Sequence, residues 1–257
     1  MTTPHPYAPE LRLFGITGIP QVQNGDDLAA LIVDAAEGQH TPLLDGDILI
    51  VTQRIVSKAE GRVVPLDTFQ PSPFAVQWGA QVGHDPRQIE AVLQESKRIV
   101  RQARGVLITE THHGFICANA GVDLSNTGGA NLISLLPLDP DASCIRLREG
   151  VRTRLGIDVA VVMTDTFGRA WREGQTNVAI GLAGMRALRS YAGMHDLDGR
   201  ELRVTMPAVA DEVAAASGLV MEKLAGVPAA IMRGLDYERG EGSARELVRP
   251  FERDLFP

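Results

Sequence analysis

Two short apolar runs constrain this chain most: Ile48-Leu49-Ile50-Val51 and Val159-Ala160-Val161-Val162-Met163, each followed at once by polar residues. Runs of this length match buried strands and fall well short of a membrane span. The first predicts a strand over Asp47 to Thr52 that opens into Gln53-Arg54-Ile55-Val56-Ser57-Lys58. The second predicts a strand over Val159 to Met163 that ends in Thr164-Asp165-Thr166. Any fold for this chain must bury both runs and present whatever follows them.

The surrounding pattern supplies the elements to do so. Leu11 to Ile16 reads as an extended segment before the turn Gly18-Ile19-Pro20. Leu28, Leu31, Ile32 and Ala35 follow helical spacing from Asp26 to Glu37, with Gly38 as a stop. A second helix is predicted from Asp85 to Gln102 on the face Ile89, Val92, Leu93, Ser96, Ile99 and Val100. Strands at Val106 to Thr109 and Gly114 to Ala118 flank the polar turn Glu110-Thr111-His112-His113. A helix from Asp141 to Leu155 ends at Gly156. Then come a strand at Leu202 to Met206, a helix from Pro207 into the Met221 region, and a strand at Ala229 to Met232. Helices and strands mix without strict alternation, which predicts an α+β (mixed α/β) fold.

With 257 residues and 44% hydrophobic content there is material for one large domain or two small ones sharing an interface, and 5% aromatics makes the core aliphatic. No repeat, low-complexity tract or linker divides it. The N-terminus lacks the basic and apolar regions of a secretory signal, and Cys117 and Cys144 form no CxxC pair, so the expected compartment is a reducing cytoplasm. The formal net charge of −7 argues against nucleic-acid or anionic-membrane partners. Lys58, Lys97 and Lys223 are the only lysines, and every other basic residue is arginine. Base composition accounts for most of that bias, although the planar arginine fork also suits phosphate and carboxylate partners.

Common catalytic signatures are missing. There is no GxxxxGK[ST], HExxH or GxSxG, and Gly240-Glu241-Gly242 has neither the third glycine nor the preceding strand of a dinucleotide fingerprint. The six histidines show no zinc-ligand spacing.

What remains is a set of oxygen-rich strand ends. Thr164-Asp165-Thr166-Phe167-Gly168-Arg169-Ala170-Trp171-Arg172 places a carboxylate between two hydroxyls and ahead of two arginines. Hard cations such as magnesium or manganese take one or two carboxylates plus phosphate oxygens and water. An aspartate capping backbone amides in a turn explains the segment equally well. Asn119-Ala120-Gly121-Val122-Asp123-Leu124-Ser125-Asn126 is by itself an ordinary Asx-rich loop, but Asp123 and Asp165 together could share a metal in phosphoryl transfer. Lys58 is either a compact charge for a nucleotide phosphate or a solvated helix end.

Taken in order, these segments resemble the F420-0:gamma-glutamyl ligase family. The resemblance runs through Gly18-Ile19-Pro20, Gly25-Asp26-Asp27-Leu28, Ser57-Lys58-Ala59-Glu60-Gly61, the Asn119 to Asn126 loop, Thr164 to Arg169, Ala210-Asp211-Glu212 and Arg233-Gly234. It spans Leu11 to the C-terminus. It implies one two-lobed α+β ligase domain over residues 1–257, an intertwined homodimer, and no fused nitroreductase-like domain of the kind some bacterial relatives carry. The implied reaction uses GTP to join the amine of L-glutamate to the terminal carboxyl of the F420-0 lactyl phosphate tail through an acyl phosphate, with further gamma-linked glutamates. The implied cofactors are magnesium or manganese, with potassium as a further candidate cation.

By motif matching, the resemblance makes Asp123 and Asp165 ligands of one divalent ion, with Thr166 assisting a second and Arg169 beside the reacting groups. It assigns the nucleotide to Ile19, Pro20, Gln21, Val22, Gln53, Arg54, Lys58 and Asn126, and to the loop from Met221. Glu222 stands where many members have glycine and is either that loop's acidic ligand or a surface charge. Two other readings follow from the same residues: an amide ligase that uses GTP or ATP on a different phosphorylated carboxylate, and a non-catalytic nucleotide-binding regulator. Intact Asp123, Asp165 and Thr166 argue against the regulator.

Overall fold

The computed structural model describes residues 9–124, 129 and 131–254. The two apolar runs become β2 (Ile48–Thr52) and β8 (Ala160–Arg169), and they lie side by side in parallel, with Val51 opposite Met163 and Thr52 opposite Thr164. Ile48 to Val51 and Ala160 to Met163 have no exposed surface, as continuous apolar runs require when both faces of a strand are covered. Around this pair stand β1 (Arg12–Ile16), β10 (Ala229–Arg233) and β9 (Arg172–Ala183), giving the strand order β1-β10-β2-β8-β9. Strands β10 and β9 run against β2 and β8, and β1 runs against β10. Thus β1, β2 and β8 all point the same way.

Helices α1 (Leu28–Gly38), α5 (Pro140–Leu155) and α6 (Val209–Met221) pack on this sheet and close the larger core. Asp27 caps α1 by accepting the Ala30 amide, and Asp139 caps α5 by accepting that of Ala142, with Pro140 in the first turn. Gly156 ends α5 at φ 69, the left-handed cap that glycine tolerates. Between β2 and α5 the chain builds α2 (Gln53–Ala59), β3 (Val63–Pro65), α3 (Pro73–Val82), α4 (Pro86–Gln94), β4 (Ser96–Ala103), β5 (Val106–Thr111), β6 (Ile116–Ala118) and β7 (Leu132–Ser134). This region has its own apolar cluster around Leu66, Phe69, Ile89, Leu107 and Ile133. The result is an α+β fold. Among the described residues no helix is long and apolar enough to cross a membrane.

Several expectations need correction. The helix predicted over Asp85 to Gln102 stops at Gln94, and Ser96 onward is β4, hairpinned to β5. The turn between them is Arg104-Gly105, both at positive φ (51 and 79), and a turn of that kind joins strands. The buried face of α1 is Ala29, Ile32, Val33 and Ala36, rotated from the predicted one. The strand predicted from Val159 does not end at Met163 but continues through Asp165 to Arg169, and its partner β9 was not anticipated. Leu202 to Met206 forms no strand. Val204 is 91% exposed and has no apolar neighbour layer to pleat against.

Candidate active site

The site follows from strand direction. Ile16, Ala229, Val51, Met163 and Gly181 form one row across the five strands. Just beyond that row lie the segment after β1, the loop before β10, α2 after β2, and the distal half of the β8–β9 ribbon. The predicted positions Ile19 to Val22, Met221 and Glu222, Gln53 to Lys58, and Asp165 and Thr166 therefore gather at one edge of one sheet. Ligand sites of open sheets lie beyond the carboxyl ends of parallel strands in this way.

Asp123 reaches this edge from the smaller region. Asn119, Ala120 and Gly121 take φ values of 51, 53 and 70, a turn of left-handed backbone that costs non-glycine residues roughly 1–2 kcal/mol each. Gly121 has a second reason to be glycine, because a Cβ there would meet Leu136 at 2.9 Å. After this turn Asp123 and Ser134 exchange both backbone hydrogen bonds, at 3.0 and 2.8 Å. The Asp123 carboxylate then accepts from the Arg54 guanidinium at 2.6 Å. Strain at a residue pair beside a predicted ligand fits a turn kept for positioning.

Asp165 is the most perturbed acid of the site. Burial pushes its carboxyl up to about 6, against the pull of the Thr166 amide and Arg54, while Asp123 pushes it further up and Lys223 pulls it down. Some of its surface stays accessible, so it is a hemmed-in carboxylate facing an opening rather than a sealed one. Cys117 on β6 adjoins it, and burial together with the Asp165 charge lifts that thiol to about 12, which keeps it protonated and chemically quiet. Lys58 is half-buried, and its ammonium is lowered first by burial and then by Arg54. Arg54, Asp123, Asp165 and Lys223 thus form one interacting set of charges.

Other predicted residues have different settings. The Gln53 side chain is buried against the Ser57 hydroxyl (2.8 Å) within α2, and that hydroxyl also lies 2.7 Å from the Leu135 carbonyl, so Ser57 ties α2 to the residue after β7. Val22 and Met221 are core residues, while Pro20 and Gln21 are exposed and Ile19 is half-buried. The Thr166 hydroxyl bonds to Asn177, its cross-strand partner, at 3.0 Å. Arg169 lies four residues along β8 from Asp165, roughly 13 Å away at strand rise. Its guanidinium donates to the Glu173 carbonyl at the ribbon tip (2.9 Å). Glu222 is exposed, ends α6 at φ 35, and among the described residues no group of three His, Cys, Asp or Glu side chains surrounds one point. That positive φ is a conformation glycine adopts without strain. Asn126 lies outside the described residues.

Sequence reasoning included Lys223 only as part of the loop from Met221, without a role of its own, and passed over Asn177. The first was legible as one of only three lysines. The second became visible only once β9 was paired.

The donor set suits a hard divalent ion. Asp123 and Asp165 are oxygen donors whose charges oppose one another, a repulsion that a cation between them would remove. Thr166, next along β8, turns its hydroxyl to the other face, where it meets Asn177. The chain is 43% identical to the coenzyme F420:L-glutamate ligase of Methanothermobacter thermautotrophicus over 249 residues, covering 96% of this chain and 98% of that one. The proteins of the same description from Methanopyrus kandleri and Archaeoglobus fulgidus are 45% and 40% identical, again over 96% of this chain and covering 98% and 96% of theirs. The F420-0:Gamma-glutamyl ligase profile matches residues 17–234, which includes every strand of the five-stranded sheet except β1. The chain is an enzyme, a ligase, and belongs to the F420-0:gamma-glutamyl ligase family.

Proposed function

We propose that the protein uses GTP to join L-glutamate through its amine to the terminal carboxyl of coenzyme F420-0, passing through an acyl phosphate. The observation that carries this reading is the gathering of four chain segments at one sheet edge around the Arg54–Asp123–Asp165 set. A ligase of this kind must bring a carboxylate, a triphosphate and an amine together, and the first two repel each other. The acceptor carboxylate oxygen attacks the γ-phosphorus and GDP leaves. The glutamate amine then attacks the acyl carbon, phosphate leaves, and the nitrogen sheds its protons to phosphate and water.

The chain's own residues divide this work. Arg54 and Lys58, on one face of the first turns of α2, supply positive charge for the phosphates, and the partial desolvation of Lys58 strengthens each contact it makes. Asp123 and Asp165 would hold one divalent ion, and Thr166, on the other face of β8, would assist a second; such ions would screen the phosphate charge as the γ-phosphoryl group transfers. Asp123 also fixes the Arg54 guanidinium, so a charge needed for the nucleotide is positioned before it arrives. Arg169, at the ribbon tip, is placed to act on a group that extends well beyond Asp165 or on a second subunit.

The working unit in this reading is a homodimer in a reducing compartment. Trp171 and Leu219 are 77% and 80% exposed, and Leu224 is 96% exposed, apolar surface that a second copy would cover. Free, buried Cys117 and Cys144 are in keeping with the compartment. Mass spectrometry of F420-0 incubated with the protein, GTP, magnesium or manganese and L-glutamate tests the reading. A GTP-dependent gain of one glutamyl residue is expected. No gain with GTP and either metal would refute it.

A further inference from the structure

A second cleft adjoins the carboxylates and plays no part in the scheme above. It is an open cleft of about 250 Å³, a little under the roughly 300–1,000 Å³ of typical small-molecule sites. Its walls come from Phe115 just before β6, Phe167 on β8, Val178 on β9 and Leu247 in the C-terminal segment; Asp211 in the first turn of α6 lines it too, and Arg249 and Asp254 add charge from the C-terminal segment.

Sheet register ties this cleft to the reaction centre. Val178 is the cross-strand partner of Asp165, so their side chains share a face about 5 Å apart. Phe167 is two residues beyond Asp165 on that same face, about 7 Å along the strand. The cleft therefore begins where Asp165 ends. It occupies the β8–β9 side of the sheet, whereas Ile19 to Val22, Lys58 and the loop before β10 occupy the β1–β10–β2 side. An acceptor seated in it would approach Asp165 from the side opposite the nucleotide positions.

Asp211 gives the cleft a polar selector. One carboxylate oxygen accepts the Ala179 amide at 2.9 Å, where β9 bulges between its pairings with Met163 and Thr164. The other oxygen makes no hydrogen bond to a described residue, and the carboxyl is half-buried beside aromatic walls. Burial lifts its proton affinity above the ordinary carboxylate range, opposed by the Ala179 amide. A half-buried acceptor between apolar rings calls for a flat ligand that offers an N–H at its edge.

We propose that this cleft binds the planar heteroaromatic head of the acceptor substrate, with Phe115 and Phe167 against the ring and the free oxygen of Asp211 accepting a ring N–H. This rests on the acceptor being F420-0, a deazaflavin whose ring carries an imide N–H at one end and, by way of its ribityl chain, the reacting tail at the other. The cleft then holds the ring while the tail reaches back to Asp165. It also gives Asp211, within a segment that resembles the family without an assigned role, the task of choosing the acceptor.

Two variants test this. Asp211→Asn can still cap Ala179 through its amide oxygen but then presents N–H to the ring N–H. Leu247→Trp fills the cleft from the wall farthest along the chain from Asp165. Steady-state kinetics with F420-0, GTP and glutamate, and equilibrium dialysis of F420-0 alone, supply the readouts. Each variant should raise the KM and Kd for F420-0 by about ten- to a hundredfold, the loss expected for a hydrogen bond to a charged group, and leave the KM for GTP within about twofold. Unchanged F420-0 constants in both variants would overturn the assignment and leave the proposed function standing. A parallel loss of GTP affinity would overturn it too, because the cleft would then only support the site as a whole. If the wild-type protein adds no glutamate to F420-0, the proposed function and this assignment fall together.

Discussion

Replacing Asp165 by asparagine should make the metal-free protein more stable while removing most of its activity. The carboxyl titrates near 3.8 when unfolded and near 6 in the native site. Between those values the native state holds a proton that the unfolded chain has released, so stability falls as pH rises through that window and stays reduced above it. At 1.36 kcal/mol per pH unit the cost at neutral pH is about 3 kcal/mol. Asparagine carries no charge, keeps the size, and its amide oxygen can still accept the Thr166 amide. Thermal unfolding in a chelator should show Asp165→Asn more stable than wild type by about 5 °C or more at pH 7, using the usual 2–4 °C per kcal/mol for domains of this size. The gap should narrow towards pH 4. Magnesium or manganese should raise the wild-type midpoint and leave that of the variant nearly unmoved. Turnover of the variant should drop by at least a hundredfold. Equal midpoints at pH 7, or a gap that ignores pH, would refute the buried-charge argument, and undiminished turnover would refute the metal-ligand role.

Three further outcomes are expected. Lys58→Ala should weaken GTP binding about tenfold by calorimetry and change the KM for glutamate far less, since its half-buried ammonium faces the nucleotide side. Unchanged GTP affinity would return it to a helix-end charge. Glu222→Gly should relieve the backbone at φ 35 and stabilise the protein by about 1 kcal/mol with activity retained, whereas loss of metal-dependent activity would make Glu222 a ligand after all. Sedimentation of dilute protein, assayed in parallel, should show an active dimer whose interface buries more than about 2,000 Å². A fully active monomer would end that proposal.

What the sequence disclosed and what it hid have physical causes. Runs such as Ile48 to Val51 announce themselves because a strand covered on both faces has no polar side to alternate with. The parallel pairing of β2 with β8 is a long-range fact with no local trace, yet it alone puts Lys58 and Asp165 at the same edge. Ile99 and Val100 fit a helical face by spacing, and the information against it sat in Arg104-Gly105, whose positive φ values commit the chain to a hairpin. β9 escaped notice because it opens with Arg172-Glu173-Gly174-Gln175, a polar stretch on a ribbon that leaves the core. Residue types told the same story at the site. Asp123, Asp165 and Arg54 were recognisable as candidates, but Arg169 looked adjacent to Asp165 in sequence and lies at the far end of a strand.

On the proposed reading, the stability cost of Asp165 and its role as a metal ligand would share one cause. A carboxylate at the end of a fully buried run is desolvated by the same packing that makes β8 a central strand, and the left-handed turn at Asn119-Ala120-Gly121 brings Asp123 in to oppose it. Arg54 offsets part of that repulsion and leaves part in place. A site that was already neutral would gain little from a divalent ion. With the proposed metal and nucleotide bound, this one would gain the release of a raised carboxyl, and energy spent in folding would return. That coupling also explains why the sequence around Asp165 reads as inconsistent with a plain buried strand. Val161 to Met163 belong to the core, and Thr164 to Thr166 belong to whatever binds there, on a backbone that passes from one to the other without a break.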